Sequence, residues 1–539
     1  MLAHGPSLAL DTHSLDNTRR EGRAVCSNIL YHPLPTHRQP RPMGLASGLF
    51  SRLPRSLATA LLLALALPGF AAAAPRPHVV ILLADDLGWQ DLGYLGKEIR
   101  TPRIDRLAER GVRLNQYYVT PWSTQTRAAL LTGRYPMRYG LQTQSILPSS
   151  GYGLPPDEKL LSQTLKEAGY RTAWVGKWQL GHARPELRPN RRGFDHHYGP
   201  LMGQVDPFKR SNALGPDWWR NDKPVKEEGY VTTLLGREAA AVVTRHDAAA
   251  PLFLVVSFTA PAAPLAAPPE HLARNAGIRD ENRRTYAAMV SALDDAVGAV
   301  VDALEKKGML ADTLLLFHTD NGGAVPRKFP SGDGDVARGA ADNGPYREGM
   351  GGPYEGGSRV PALLHWPAQL EPGIATGLMH VTDVYPTVLA AAGIKLDQRK
   401  ALDGFDQWKS IRGNALSPRK EVLIALDDLH GVLRMGDWKV VVTAGLPGRV
   451  ELYDVNRDPG EEDNAADRFP ERVAELSRRL NDYAWEMVAS QFLAELAAPR
   501  RVAVPMIWGI NPLRHGAGAD ADSRRDPSLT VERADQPSR

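Results

Sequence analysis

HVVILLADDLG, residues 78–88, runs six apolar side chains without a break from Val79 to Ala84 and then meets two acids, Asp85 and Asp86. A continuous run rich in β-branched residues and Leu suits a strand covered on both faces, as in a parallel sheet. Outward from it, similar runs recur at 173–175, 252–258 and 313–317, with helical patterns at 104–110, 128–131, 160–168 and 286–306. Strands alternating with helices predict a doubly wound α/β domain. In such sheets ligands bind beyond the carboxyl ends of the strands. Two of those ends carry oxygen-rich pairs, Asp85-Asp86 and Asp320-Asn321.

Past residue 412 the spacing changes. Short strand patterns at 422–425, 432–435, 439–442 and 450–453 are joined by Gly or Asp turns, and a helical stretch follows at 470–487. The expected fold class is α/β, with a large doubly wound mixed-sheet domain at 75–412 and a smaller C-terminal antiparallel sheet plus helix at 413–500. Residues 501–539, which lack apolar periodicity beyond Asn511, read as a largely disordered tail.

At the other end, Arg52 and Arg55, the apolar run 57–67 and the alanines 71–74 follow the order of a secretory signal peptide. The run is too short to span a bilayer. A signal starting at Met43 makes 43–74 the signal and 1–42 an upstream extension, and implies export to a periplasmic or extracellular space. Of 539 residues, 23% are charged and 43% hydrophobic, which excludes disorder throughout; 49 Gly and 43 Pro without a period exclude a collagen-like fibre. Residues 1–74 hold seven Arg, no Lys and three acids, so cleavage leaves 58 basic and 58 acidic residues. That balance gives no electrostatic case for nucleic acid or an anionic membrane as partner. Cys26, the one cysteine, precedes the signal, so the exported part has no thiol for a disulfide, a zinc site or a nucleophile.

Asp85, Asp86, Asp320 and Asn321 supply hard oxygen donors, which suit Ca²⁺ or Mg²⁺ better than a soft metal. Alone, each pair reads as a helix cap or turn former. A further motif turns them into a site. YYVTPWSTQTRAALLTGRYP at 117–136, with ILLADDLG, YRTAWVGKWQLG, FHTDNGG, EGGSRVP and ELYDVNRDPGEEDN in order from about 78 to 465, resembles the sulfatase family, and RYGLQ after the signature resembles its arylsulfatase type. The resemblance implies a sulfuric ester hydrolase with one divalent cation, Ca²⁺ or Mg²⁺, acting on a sulfate ester small molecule or a sulfated glycan. It also implies a nucleophile position at Ser123, which the family oxidises to formylglycine. The hydrated aldehyde offers one hydroxyl to attack sulfur and a second to expel sulfate. Ser123 falls at a helix start, where exposed N–H groups favour an anionic ester, with Arg127 one turn on.

Residue by residue, the resemblance assigns Asp85, Asp86, Asp320 and Asn321 to the cation and Lys177 to the sulfate, all intact. It also exposes departures. Gln179 stands where the family has histidine in GKWHLG, Ala262 where a second histidine is expected and Met350 where a lysine is expected; Gln125 replaces the Pro or Ala that maturation enzymes recognise. Gln can hydrogen-bond but cannot transfer a proton, and Ala and Met do neither. A free serine also lacks the second hydroxyl needed to break down its own sulfate ester. Two alternatives follow. One is a catalytically degraded homologue that binds a sulfated or anionic ligand; the other is a phosphoryl-transfer enzyme using unmodified Ser123, disfavoured because two-zinc sites need histidine ligands where Asn321 stands. Among other residues, His318 reads as a core histidine, and His182, His196 and His197 as loop histidines. Trp218-Trp219 read equally as a sugar platform or a packing pair, Glu355 and Arg359 as a buried ion pair, and Asp383 as a helix cap.

Overall fold

The computed structural model describes residues 76–325 and 340–498. The signal and upstream segments expected at 1–74 and the tail expected at 501–539 lie outside the described residues. Four parallel strands form the centre: β1 (His78–Asp85), β2 (Arg171–Gly176), β3 (Leu252–Pro261) and β4 (Thr313–Thr319), in the spatial order β4-β1-β3-β2. Three short strands extend the sheet beyond β4, namely Ala362–His365, Val112–Leu114 and Gly373–Ala375; His196–Gly199, Trp219–Arg220 and Lys223–Pro224 extend it beyond β2, giving ten in all. Antiparallel pairing enters at Ala362–His365 on one side and at Trp219–Arg220 on the other, so the sheet is mixed.

The unbroken apolar run of β1 has a direct structural meaning. Val79, Ile81 and Leu83 join one core, while Val80, Leu82 and Ala84 join the other, because successive strand side chains point to opposite faces. Helices cover both faces, and they are α1 (Pro102–Arg110), α2 (Ser123–Thr132), α3 (Leu161–Glu167), α4 (Val231–Arg245), α5 (Glu281–Lys306) and α6 (Val384–Ala391). Residues of α2, α3 and α6 pack with the Val79 face, and residues of α1, α4 and α5 with the Val80 face. This is the doubly wound arrangement that the sequence predicts.

The C-terminal part forms a four-stranded antiparallel sheet, β5 (Glu421–Leu426), β6 (His430–Met435), β7 (Trp438–Thr443) and β8 (Arg449–Asp454), followed by α7 (Pro470–Trp485). Leu476, Leu480 and Tyr483 of α7 cover Leu423, Leu433, Val440 and Leu452. The sheet is tied to the larger part by buried charge: Lys439 Nζ lies 3.1 Å from Glu355 Oε1 and 2.8 Å from Glu461 Oε1. Glu355 and Arg359 do form the expected buried ion pair, at 3.6 Å.

Several smaller expectations change. His196 and His197 sit in a strand beside β2, not in a loop, because the pairing of Ala173 and Trp174 with them is a tertiary contact that no local periodicity announces. Trp218 and Trp219 are both buried, with Tyr198 edge-on to Trp218 and Arg188 over Trp219, so they are a packing pair. Asp383 makes no side-chain cap on α6; its carboxylate accepts His380 N at 2.9 Å in the capping box of the short 3-10 turn Val381–Asp383, and also takes the Arg419 guanidinium and the Phe405 N–H.

Candidate active site

The register of the central strands decides where the polar residues meet. Leu83 is level with Ser257 on one neighbour and with His318 on the other, and Ala84 is level with Thr319. Gly176 is level with Ser257 in turn. Asp85, Lys177 and Asp320 therefore lie within a residue or two of one another in register, at the same end of three strands. Oxygens of Asp85, Asp86 and Asp320 all lie within 4.8 Å of one another, and all three side chains are buried.

The start of α2 faces this cluster. All ten residues of α2 are buried, including the polar run Ser123 to Arg127, and each of these polar groups has work to do locally. Thr124 Oγ1 donates to Gln179 O and accepts from Ile146 N, and Thr126 Oγ1 is bonded to Thr120. Those anchors leave Ser123 Oγ 3.1 Å from Asn321 Oδ1, 3.4 Å from Asp85 Oδ1 and 3.4 Å from Lys177 Nζ. Lys177 Nζ donates to both Asp85 oxygens at 2.8 Å. Arg127 pairs with Asp320, and its Nε reaches Ser257 Oγ at 3.3 Å. Its Nη2 is buried with no hydrogen-bond acceptor, 3.8 Å from Asp85 Oδ1. The structure thus gathers Ser123, Arg127, Lys177, Asp85, Asp86, Asp320 and Asn321 into one place.

Charge in this cluster is unevenly settled. Burial pushes the Asp85 carboxyl well above the ordinary range, against Lys177 and with Asp320 reinforcing. Burial and then Asp320 push Asp86 up to about 6. Burial would raise Asp320 too, but Arg127 and Lys177 outweigh it and hold that carboxyl well below the usual value. Two of the three carboxyls therefore resist ionising in the absence of further positive charge. Their hard, converging oxygens fit a divalent cation such as Ca²⁺ or Mg²⁺, which would supply that charge.

The substituted positions lie around the same ends. Gln179, two residues after Lys177, holds a left-handed backbone at φ 52°, sends Nε2 to Ile146 O at 3.4 Å and leaves Oε1 buried without a partner. Gly203 packs against both: a Cβ there would meet Lys177 Cε at 2.6 Å and Gln179 Nε2 at 3.2 Å. Ala262 directly follows β3. Met350 N donates to Gly323 O at 3.2 Å and Gly351 N to Pro121 O at 2.7 Å, so the turn at 349–351 bridges the end of β4 and the entry to α2. Gln125 is buried in α2, with its Nε2 3.5 Å from Gln142 O. His318 is a core histidine as expected, edge-on to Tyr117 with Nδ1 3.0 Å from Thr319 O. Two contributors carry no role in the sequence reading, although Gly176 lies within the quoted YRTAWVGKWQLG. Ser257 supports Arg127, and Gly176, at φ 114°, lets β2 pass so close to β3 that an added Cβ would lie 1.8 Å from Ser257 O. The serine sits mid-run in LFLVVSFTAP, so a polar residue interrupting a doubly buried strand is the signal the sequence offers.

Comparison with known proteins bears on this geometry. The family model described as Sulfatase matches residues 77–394. Mouse arylsulfatase J is 36% identical over an alignment of 372 residues that covers 67% of this chain and 60% of the mouse protein. Human arylsulfatase A is 33% identical, covering 76% of this chain and 86% of the human protein. Among solved structures, Ps i-CgsB in complex with k-i-k-neocarrahexaose superposes with a TM-score of 0.70 at 32% identity, covering 77% of this chain and 94% of that one.

Proposed function

The chain belongs to the sulfatase family, and from that premise we propose that it is an exported sulfuric ester hydrolase of arylsulfatase type that uses one divalent cation, Ca²⁺ or Mg²⁺. The observation that carries the reading is the convergence of Ser123 Oγ, Lys177 Nζ and the unpartnered Arg127 Nη2 on three buried carboxylates. A cation held by Asp85, Asp86, Asp320 and Asn321 would supply positive charge to sulfate oxygens. Formylglycine, if Ser123 is oxidised to it, would supply the paired hydroxyls of a hydrated aldehyde. The chain's own groups do the rest. Arg127 Nη2 is a buried donor with an open acceptor position, and a sulfate oxygen fills that position. Lys177 neutralises Asp85 while facing Ser123 Oγ, so it favours the anionic state of whatever oxygen stands there. Likeness to the neocarrahexaose complex supports a glycan sulfate as the substrate class, and the arginine, apolar and alanine order at 52–74 supports export.

A second reading has its own observation. Gln179, Ala262 and Met350 offer no group that can move a proton or offset charge, and loss of one such preorganised donor costs roughly 10²- to 10³-fold in rate. On this reading the site binds a sulfated glycan without turning it over. Two measurements on protein from its native host separate the two. Sulfate release is assayed on aryl and glycan sulfates with saturating Ca²⁺, and the tryptic peptide ending at Arg127 is weighed for the loss of two hydrogens at Ser123. Release from a peptide carrying the loss supports the hydrolase. Saturable binding without release, from an unmodified Ser123, replaces it with the binding protein.

A further inference from the structure

The three amides after β1 are each held by a side chain. Asp86 N donates to Asp320 Oδ1 and Leu87 N to Thr319 Oγ1, both at 3.2 Å, while Gly88 N reaches Asp91 Oδ2 and the Tyr286 hydroxyl, both at 3.1 Å. Asp86 itself sits at φ 61°, in the left-handed region, which Asp enters more readily than most residues but where tertiary contacts still have to hold it. The element that holds it is α5. Its Tyr286 hydroxyl lies 3.1 Å from Asp86 O and 2.7 Å from Asp91 Oδ2, and Arg283, one turn earlier, meets Asp91 Oδ1 at 2.6 Å.

The same carboxylate reaches the second loop of the site. Asp91 Oδ2 accepts Asp342 N at 3.0 Å, and Arg283 Nη1 donates to Ala340 O at 2.8 Å. One residue on, Asn343 grips the loop after Asn321, accepting Gly323 N at 2.9 Å and donating to Gly323 O at 3.0 Å. Asp91 is fully buried, and its two oxygens take four donors: Gly88 N, Tyr286 Oη, Asp342 N and Arg283 Nη1. Three of these fall on Oδ2 and one, from a guanidinium, on Oδ1, so the carboxylate is committed to the loops and to α5.

We propose that Asp91, with Tyr286 and Arg283, is a positioning unit that presets the divalent-cation site by locking the left-handed turn at Asp86 and joining it to the loop after Asn321. The proposal rests on the reading of Asp85, Asp86, Asp320 and Asn321 as that site. A cation bound at oxygen distances needs its carboxylates already gathered, and a loop left to reorganise on binding weakens the affinity by the cost of ordering it.

The test compares the wild type with Tyr286→Phe, Asp91→Asn and a control, Asp294→Asn, for Ca²⁺ and Mg²⁺ affinity by titration calorimetry and for amide exchange at residues 86–88. Asp294 lies on the same helix as Tyr286 and is also buried, but it accepts the Arg103 and Ile104 amides of α1 and makes no bond to either loop. Tyr286→Phe removes one oxygen and keeps the ring, so it stays folded even where Asp91→Asn does not. Tyr286→Phe and Asp91→Asn are expected to weaken Ca²⁺ binding by roughly 10-fold or more and to speed exchange at the Leu87 and Gly88 amides. The control should lower thermal stability and move neither. Wild-type affinity in Tyr286→Phe, or equal weakening in Asp294→Asn, overturns the proposal. If the wild type binds neither Ca²⁺ nor Mg²⁺, the cation reading falls by itself, and exchange decides the remainder: faster exchange in Tyr286→Phe alone keeps the positioning unit, and unchanged exchange removes it.

Discussion

Gln179 is the residue at which chemistry and backbone can be separated. Its side chain makes one long hydrogen bond, to Ile146 O at 3.4 Å, and its other amide atom is buried without a partner. Its φ of 52° lies in the left-handed region, where histidine is among the residues that occur more readily. Gln179→His is therefore expected to cost less than about 1 kcal/mol of stability, as a substitution that loses little packing and no good hydrogen bond. Steady-state sulfate release should rise by roughly 10²-fold, the lower end of what a positioned acid or base contributes. A rate equal to the wild type would refute Gln179 as the limiting substitution and pass that role to Ala262 or Met350. At this scale the sequence is partly legible. The acid pairs show themselves because they end apolar strands, whereas Ser123 and Lys177 stand out only by resemblance. Asp91 carries no signal of this role, since nothing local says that a carboxylate will collect donors from 283–286 and 342 as well as from Gly88.

At the scale of elements, the strand register is what puts Lys177 beside Asp85, and Gly176 is the residue that permits it. Lys177 N donates to Ser257 O at 2.8 Å, directly after the point where a Cβ on Gly176 would lie 1.8 Å from that oxygen. Gly176→Ala must then open the end of β2 away from β3 and carry Lys177 with it. Gly169 makes the control: its φ of 91° is also positive, yet an added Cβ meets nothing within 4 Å. Gly169→Ala should cost about 1 kcal/mol for its backbone alone, and Gly176→Ala about 3 kcal/mol or more as the clash adds to it. Urea denaturation of the two variants checks the difference, and equal losses would mean that β2 and β3 can part there freely. The four central strands are readable because a strand buried on both faces must be apolar throughout. Val112–Leu114, Ala362–His365 and His196–Gly199 are not, because three or four residues carry no period and their pairing is settled by what the long strands leave open.

Over the whole molecule, two sets of buried groups make stability depend on pH with opposite signs. Burial lowers His78, His182 and His318 to about 4 and His197 to about 3, so each contributes stability that is complete above the unfolded value of 6.5 and is lost as pH falls from there through the folded one. Asp86, raised by burial and Asp320 to about 6, behaves the other way: its contribution is complete below 3.8 and is lost as pH rises from there through about 6. For a group so fully buried the loss is roughly 3 kcal/mol, because each tenfold change in proton affinity is worth about 1.4 kcal/mol. The Asp85 carboxyl is raised in the same direction. A divalent cation binds only the ionised carboxylates, so it must displace the Asp86 proton at pH 5 but not at pH 7.5. Thermal unfolding with EDTA and with a fixed excess of Ca²⁺ should therefore give midpoints that nearly coincide at pH 5 and separate as pH rises through 6. The separation levels off above pH 7, where Ca²⁺ at about 100 times its dissociation constant stabilises by about 2.7 kcal/mol. Both curves should fall together below pH 6.5, because the histidines protonate on unfolding whether or not the cation is present. A gap between the curves that stays constant from pH 5 to 7.5 would show that Ca²⁺ binds elsewhere than at Asp86, since binding there must release its proton in the lower part of that window.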